Sequence, residues 1–130
     1  MNRTILLTGI LFGLMAIVLG AFGAHGLKQL VDTNAVESFE TGVRYQMYHA
    51  FFLVVLGIWE GLESTKRKRI FWLACIGVIL FSFSIYLLSL NSLMTWNVKT
   101  IGFITPIGGL FLIAAWALFA YYIWSKKSNK

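Results

Sequence analysis

The chain has 130 residues, 58% hydrophobic, 16% aromatic and only 12% charged, with a mean hydropathy of +0.77. An ordinary soluble domain carries about 25% charged residues, so this composition excludes a water-clothed globule and fits one small domain built to span a bilayer. The net charge of +6 and isoelectric point near 9.7 raise nucleic-acid binding, but the cations sit at segment ends rather than on a polar face interleaved with aromatics, which argues against nucleic acid and makes them topology signals.

The first span is expected over residues 4–26. Arg3, an apolar run from Ile5 to Leu27 and small residues from Ala21 to Ala24 resemble a signal sequence. The run exceeds a signal h-region of about 7–15 residues, and a similar apolar segment follows, so it reads as a retained transmembrane helix. Gly9, Gly13, Ala16, Gly20 and Gly23 recur at spacings of 4, 3, 4 and 3. That places them on one stripe where a second backbone can approach, within the chain or between copies of a homo-oligomer. His25 closes the segment as an interfacial polar candidate.

Leu27 to Thr33 reads as a connector. Asn34 followed by Glu37 resembles a capping box, which predicts an extracytoplasmic amphipathic helix start over residues 34–42 running into a second span over 43–63. At roughly 100° per residue, Glu37, Glu40, Thr41, Arg44, Tyr45 and Tyr48 share one arc. Glu40 and Arg44 stand in the favourable order for a helical ion pair. His49 lies four residues after Tyr45, and Gln46 falls beyond it.

The run Lys66-Arg67-Lys68-Arg69 assigns its short loop to the cytoplasm. A third span is expected over 70–90, with Cys75, Ser82, Tyr86 and Ser89 on one face and Ser84 pointing away. Cys75 is the single cysteine, which excludes an intrachain disulfide and a four-cysteine metal site and leaves it a small core residue. A polar loop bearing Trp96 leads to a fourth span over 101–124. Within it, Pro106 either kinks a helix begun near Ile101 or starts a helix capped by Thr105. Trp116, Tyr121, Tyr122 and Trp124 precede Lys126, Lys127 and Lys130, a cytoplasmic aromatic-then-basic boundary.

Arg3, the four cations at 66–69 and the three tail lysines fall on one side; Lys28, Arg44 and Lys99 fall on the other. The fold expected is therefore an all-α integral membrane protein, a four-transmembrane-helix bundle with both termini cytoplasmic. A polar cluster of His25, Glu40, Arg44, Tyr45, Gln46, His49, Ser82, Tyr86 and Thr105 is expected near the outer leaflet. Polar groups at membrane depth mark candidate sites, yet the same residues can satisfy one another and fix helix register. The two histidines form no His-x-x-x-His or Glu-x-x-His pair, so no metal site is expected. No nucleophile elbow surrounds Ser82 or Ser84. The expectation is a non-enzymatic protein with no catalytic residue and no cofactor.

Four blocks carry a family resemblance: residues 19–26 (LGAFGAHG), 41–50 (TGVRYQMYHA), 80–87 (LFSFSIYL) and 105–109 (TPIGG). In this order they resemble the YgdD/YwdK-like family, small bacterial inner-membrane proteins carrying a domain of unknown function. The resemblance implies four transmembrane helices and a multi-pass plasma-membrane location, and no established activity. Phe83 stands where that pattern usually has glycine, and Ala115 replaces the glycine usual before Trp116. Three functions compete: a structural, assembly or interaction protein; a small-solute, ion or proton pathway lined by the polar cluster of an oligomer; and a lipid-headgroup or quinone site using Arg44, Tyr45 and Tyr48.

Overall fold

Apolar stretches that carry few charges must satisfy their backbone internally once in lipid, and helices do this locally. The computed structural model describes residues 1–126, and within them every long element is a helix. Lys127 and Lys130 of the expected basic tail lie outside the described residues.

Helix α1 (Arg3–Ala24) opens with Asn2, whose side chain accepts the Ile5 N–H at 3.0 Å. After a single 3-10 turn (Leu27–Gln29), α2 (Thr33–Ile58) is capped by Asp32, which accepts the Ala35 N–H at 2.8 Å. The cap is thus Asp32 rather than Asn34, because the Asp32 carboxylate reaches the N3 donor. The helix also ends at Ile58 instead of continuing to 63, with Trp59 extended at ψ 121°.

The third rod is continuous from Ser64 to Ser89 and has three parts: α3 (Ser64–Val78), a π turn (Ile79–Phe83) and α4 (Ser84–Ser89). Its start corrects the expected loop. The four cations are helical, since Lys and Arg are good helix formers, and the connection before them shrinks to residues 59–63. Arg67 turns inward and donates to the Trp59 carbonyl at 2.7 Å, satisfying the end of α2. Two further 3-10 turns (Asn91–Leu93 and Lys99–Phe103) lead into α5 (Ile104–Ser125). Thr105 is therefore inside the helix and not its cap. Pro106 sits in the first turn, where its missing N–H leaves no ladder bond broken.

Among the described residues, three helical stretches are long and apolar enough to cross a membrane: Arg3–Gln29, Ser64–Ser89 and Lys99–Ser125. Helix α2 is the fourth long helix and is less apolar, because Glu37, Glu40, Arg44, Gln46 and His49 occupy its N-terminal two thirds.

Glycine decides how closely the rods approach. The α1 stripe packs against α2 of the same chain. A Cβ on Gly9 would stand 2.9 Å from the Ala50 carbonyl oxygen, and one on Gly23 would meet the Phe39 ring at 3.0 Å. Gly20 faces Val43, and buried Ala16 completes the seam. Of the two expected uses of the stripe, the structure shows the one within the chain, against α2. The third rod meets α5 through Gly77 and Gly108, where a Cβ on Gly108 would clash with the Phe81 backbone nitrogen. Gly42 of α2 accepts the Tyr86 ring against its backbone. Two apolar clusters result: a larger one around Leu53, Leu56, Ile70 and Ala115, and a smaller one around Leu27, Phe39 and Tyr86 at the opposite end.

These distances predict a graded response along one face. Gly9→Ala and Gly108→Ala should each lower stability by about 1–3 kcal/mol or more, because backbone atoms cannot yield to the added methyl. Gly13→Ala, with its nearest neighbour at 3.6 Å, should stay within about 0.5 kcal/mol of the parent. SDS-titrated unfolding in mixed micelles measures all three, and equal losses at Gly9 and Gly13 would contradict the seam.

Candidate polar site between the helices

Side chains that need partners meet between the two apolar clusters. Gln46 is fully buried and uses both ends of its amide: Nε2 donates to the Phe12 carbonyl of α1 at 2.9 Å, and Oε1 accepts the Tyr86 hydroxyl at 2.7 Å. One side chain of α2 thereby joins α1 to α4. Ser82, on the π turn, donates to the Gly42 carbonyl of α2 at 2.7 Å. That contact exists because Gly42 carries no side chain to hold the rods apart.

His49 forms the link to α5. Its Nδ1 lies 2.6 Å from the Tyr45 carbonyl, and the Trp116 indole N–H donates to Nε2 at 3.0 Å. An indole nitrogen can only donate, so Nε2 holds a lone pair and the proton must be on Nδ1, where the carbonyl accepts it. The two neighbours thus select one neutral tautomer. Protonating Nε2 would place two N–H groups face to face and break the α2–α5 bond. The rings also pack edge to face at 6.0 Å, and Phe52 packs against Trp116 at 4.6 Å with the ring planes tilted by 49°.

Nearer the start of α5, the Ser84 hydroxyl lies 2.6 Å from both the Leu80 carbonyl and Thr105 Oγ1. A hydroxyl has one proton, so with Ser84 donating to its own helix, Thr105 is the donor across the interface.

The structure joins Gln46, His49, Ser82, Tyr86 and Thr105 to this interhelical layer and leaves the other expected members outside it. His25 is exposed at the end of α1. Arg44 is exposed and donates to Thr41 Oγ1 at 3.0 Å rather than pairing with Glu40. Tyr45 is 40% exposed, with its ring against Tyr48 and Phe81 and its carbonyl engaged by His49. Phe12 is the tenth residue of the 22-residue α1, and Trp116 is the thirteenth of the 22-residue α5. The Gln46 and His49 bonds therefore lie near the midpoints of α1 and α5 rather than at a helix end.

Ser84 and Trp116 were missed as partners. Ser84 does point away from Ser82, but α5 stands on that side. Trp116 carried a usable signal: an indole N–H in an apolar run needs an acceptor, and histidine is one of few acceptors in these spans. The Phe12 carbonyl left no signal, since every residue has one.

A lipid-facing groove of 740 Å³ runs beside the layer between α2 and α5, lined by Tyr45, His49, Phe81, Leu112 and Trp116. Among the described residues no group of three or more His, Cys, Asp or Glu side chains is placed to hold a metal.

Residues 19–109 match the family model described as "Protein of unknown function (DUF423)". The chain is 37% identical over 116 residues to a UPF0382 membrane protein of Staphylococcus haemolyticus, covering 89% of this chain and 91% of the relative. It is 35% identical over 120 residues to the UPF0382 membrane protein YwdK of Bacillus subtilis, covering 89% and 92%. No solved structure matches it.

The hydrogen-bond assignment is testable by imidazole 15N chemical shifts in labelled protein. They should report His49 protonated at Nδ1 and bare at Nε2, and Trp116→Phe should shift the Nε2 resonance while lowering stability by about 0.5–1.5 kcal/mol. An Nε2–H signal in the parent would overturn it.

Proposed function

The chain belongs to the DUF423 family, whose members are proteins of unknown function and whose relatives here are bacterial membrane proteins, and we propose that it acts as a non-enzymatic structural or interaction protein of the plasma membrane. The observation that carries this reading is the closure of the polar layer. Gln46, His49, Ser82, Ser84 and Tyr86 spend their hydrogen-bonding groups on one another, on Thr105 and Trp116, and on neighbouring backbone. Groups used this way hold helices in register. A solute, ion or proton pathway receives less support, because its lining would need polar atoms turned to a lumen. A headgroup or quinone site at Arg44, Tyr45 and Tyr48 also receives less, since Arg44 does not line the groove beside His49.

We propose four spans with both termini cytoplasmic. Helix α2 has 26 residues, about 39 Å at 1.5 Å per residue, enough to cross. Same-side termini are supported by contacts at one end of the rods. The Met1 amine pairs with Glu60 at 2.7 Å, and Lys126 donates to the Gly61 carbonyl, so Met1 and Lys126 both touch the α2–α3 connection. The cations Lys66 to Arg69 begin the third rod at that same end.

Three experiments test this. In a Cys75→Ala background, Ser92→Cys should react with a membrane-impermeant maleimide in intact cells, and Ser64→Cys only after permeabilisation; the opposite pattern would reverse the topology. In a Gln46→Leu/Tyr86→Phe double-mutant cycle, the pair should couple by about 0.6–2 kcal/mol. His49→Ala should lower stability while leaving proteoliposome proton flux at the level of empty vesicles. A His49-dependent flux in the parent would defeat the structural reading.

A further inference from the structure

The third rod carries a second stripe unrelated to the polar layer. Thr65, Lys68, Arg69, Trp72 and Ile76 recur at helical spacing along the lipid-facing side of α3. With Leu73 and, from α5, Leu118, they line a groove of 550 Å³ at the end where the cations gather. Its chemistry is graded: hydroxyl and basic groups at the mouth, then only apolar side chains. Trp72 is 59% exposed along its wall.

The four consecutive cations divide by orientation. Arg67 is buried against the Trp59 carbonyl. Lys66 lies 3.7 Å from Glu63 and over the Tyr122 ring at 5.2 Å. Lys68 and Arg69 are exposed at the groove mouth. Lys68 has no hydrogen-bond or ion-pair partner among the described residues, and Arg69 spends one N–H on the Tyr122 hydroxyl at 3.3 Å. The guanidinium keeps further donors in a fork that suits a phosphate, and Lys68 adds a compact charge beside it.

We propose that this seam between α3 and α5 binds one anionic phospholipid, its phosphate held by Lys68, Arg69 and the Thr65 hydroxyl and one acyl chain lying along Trp72, Leu73, Ile76 and Leu118. The charge complementarity selects the headgroup, as basic pockets between helices near a membrane surface do. The length suits the orientation: Lys68 to Ile76 is about 12 Å along the axis at 1.5 Å per residue, so the head lies outward and the chain inward as in a leaflet. The start of α3 adds its dipole to the same end.

Native mass spectrometry of the purified full chain, offered equal phosphatidylglycerol and phosphatidylcholine, tests this. One phosphatidylglycerol should be retained with about a tenfold preference or more. Lys68→Gln/Arg69→Gln should abolish the preference. Lys28→Gln/Lys99→Gln, which removes the same net charge elsewhere, should preserve it. Ile76→Trp, which fills the groove and keeps both cations, should lose the retained lipid and decides the matter if the double variant does not accumulate. Equal retention of the two lipids by the parent, equal loss in both charge-reduced variants, or retention in Ile76→Trp would each overturn the proposal.

Discussion

A glutamine buried at the depth of a helix midpoint bonds to protein or to nothing, because hydrocarbon supplies no donor or acceptor. Gln46 meets that constraint with one backbone carbonyl and one phenol, and neither is available unless three rods come close together. The glycines make this approach feasible. Gly9 and Gly23 bring α1 against α2 so that the Phe12 carbonyl stands within reach, and Gly42 admits the Tyr86 ring whose hydroxyl completes the amide. Packing and polarity are therefore one device. Van der Waals contact alone tolerates small shifts of helix register, whereas a buried amide loses a bond when either partner moves.

The π turn shows the same logic in the backbone. Between Ile79 and Phe83 the third rod widens, and α5 crosses it where Gly108 lies against the Leu80 and Phe81 peptide groups. The widened turn presents Ser82 to α2 and Ser84 to α5, so two serines only two residues apart serve opposite neighbours. Phe83, at the position where the resembling pattern has glycine, packs with Tyr86 at 5.8 Å between ring centres. It does not obstruct the α5 contact, because Gly108 faces residues 80 and 81 instead.

The apolar segments, the use of the α1 stripe as a packing face and the chemical character of Gln46, His49, Ser82 and Tyr86 as interior groups were legible in the sequence, because hydropathy and helical period record which faces avoid water. The partners were not. Hydropathy counts Gln46 and His49 as polar wherever they stand and says nothing of which carbonyl, phenol or indole meets them. The cap at Asp32 lost to Asn34 because both residues suit a cap, and only the backbone decides which carboxylate or amide meets a free N–H. Lys66 to Arg69 resemble a loop because a run of four charges masks their helix propensity. The π turn has no residue signature; it follows from how α5 fits at Gly108.

The tightest backbone approaches fall within two consecutive pairs, α1 with α2 and the third rod with α5. Each pair joins neighbours in the chain, so each can close without the other. Three of the five interhelical bonds of the polar layer, by contrast, cross from one pair to the other: Ser82 to Gly42, Tyr86 to Gln46, Trp116 to His49. In the four-span arrangement proposed above, assembly would divide into two hairpins that form by shape and a later docking that reads hydrogen-bond complementarity. A hairpin inserted without its mate would carry Gln46 and His49 into lipid half-satisfied, which is a chemical mark by which an unfinished molecule differs from a finished one.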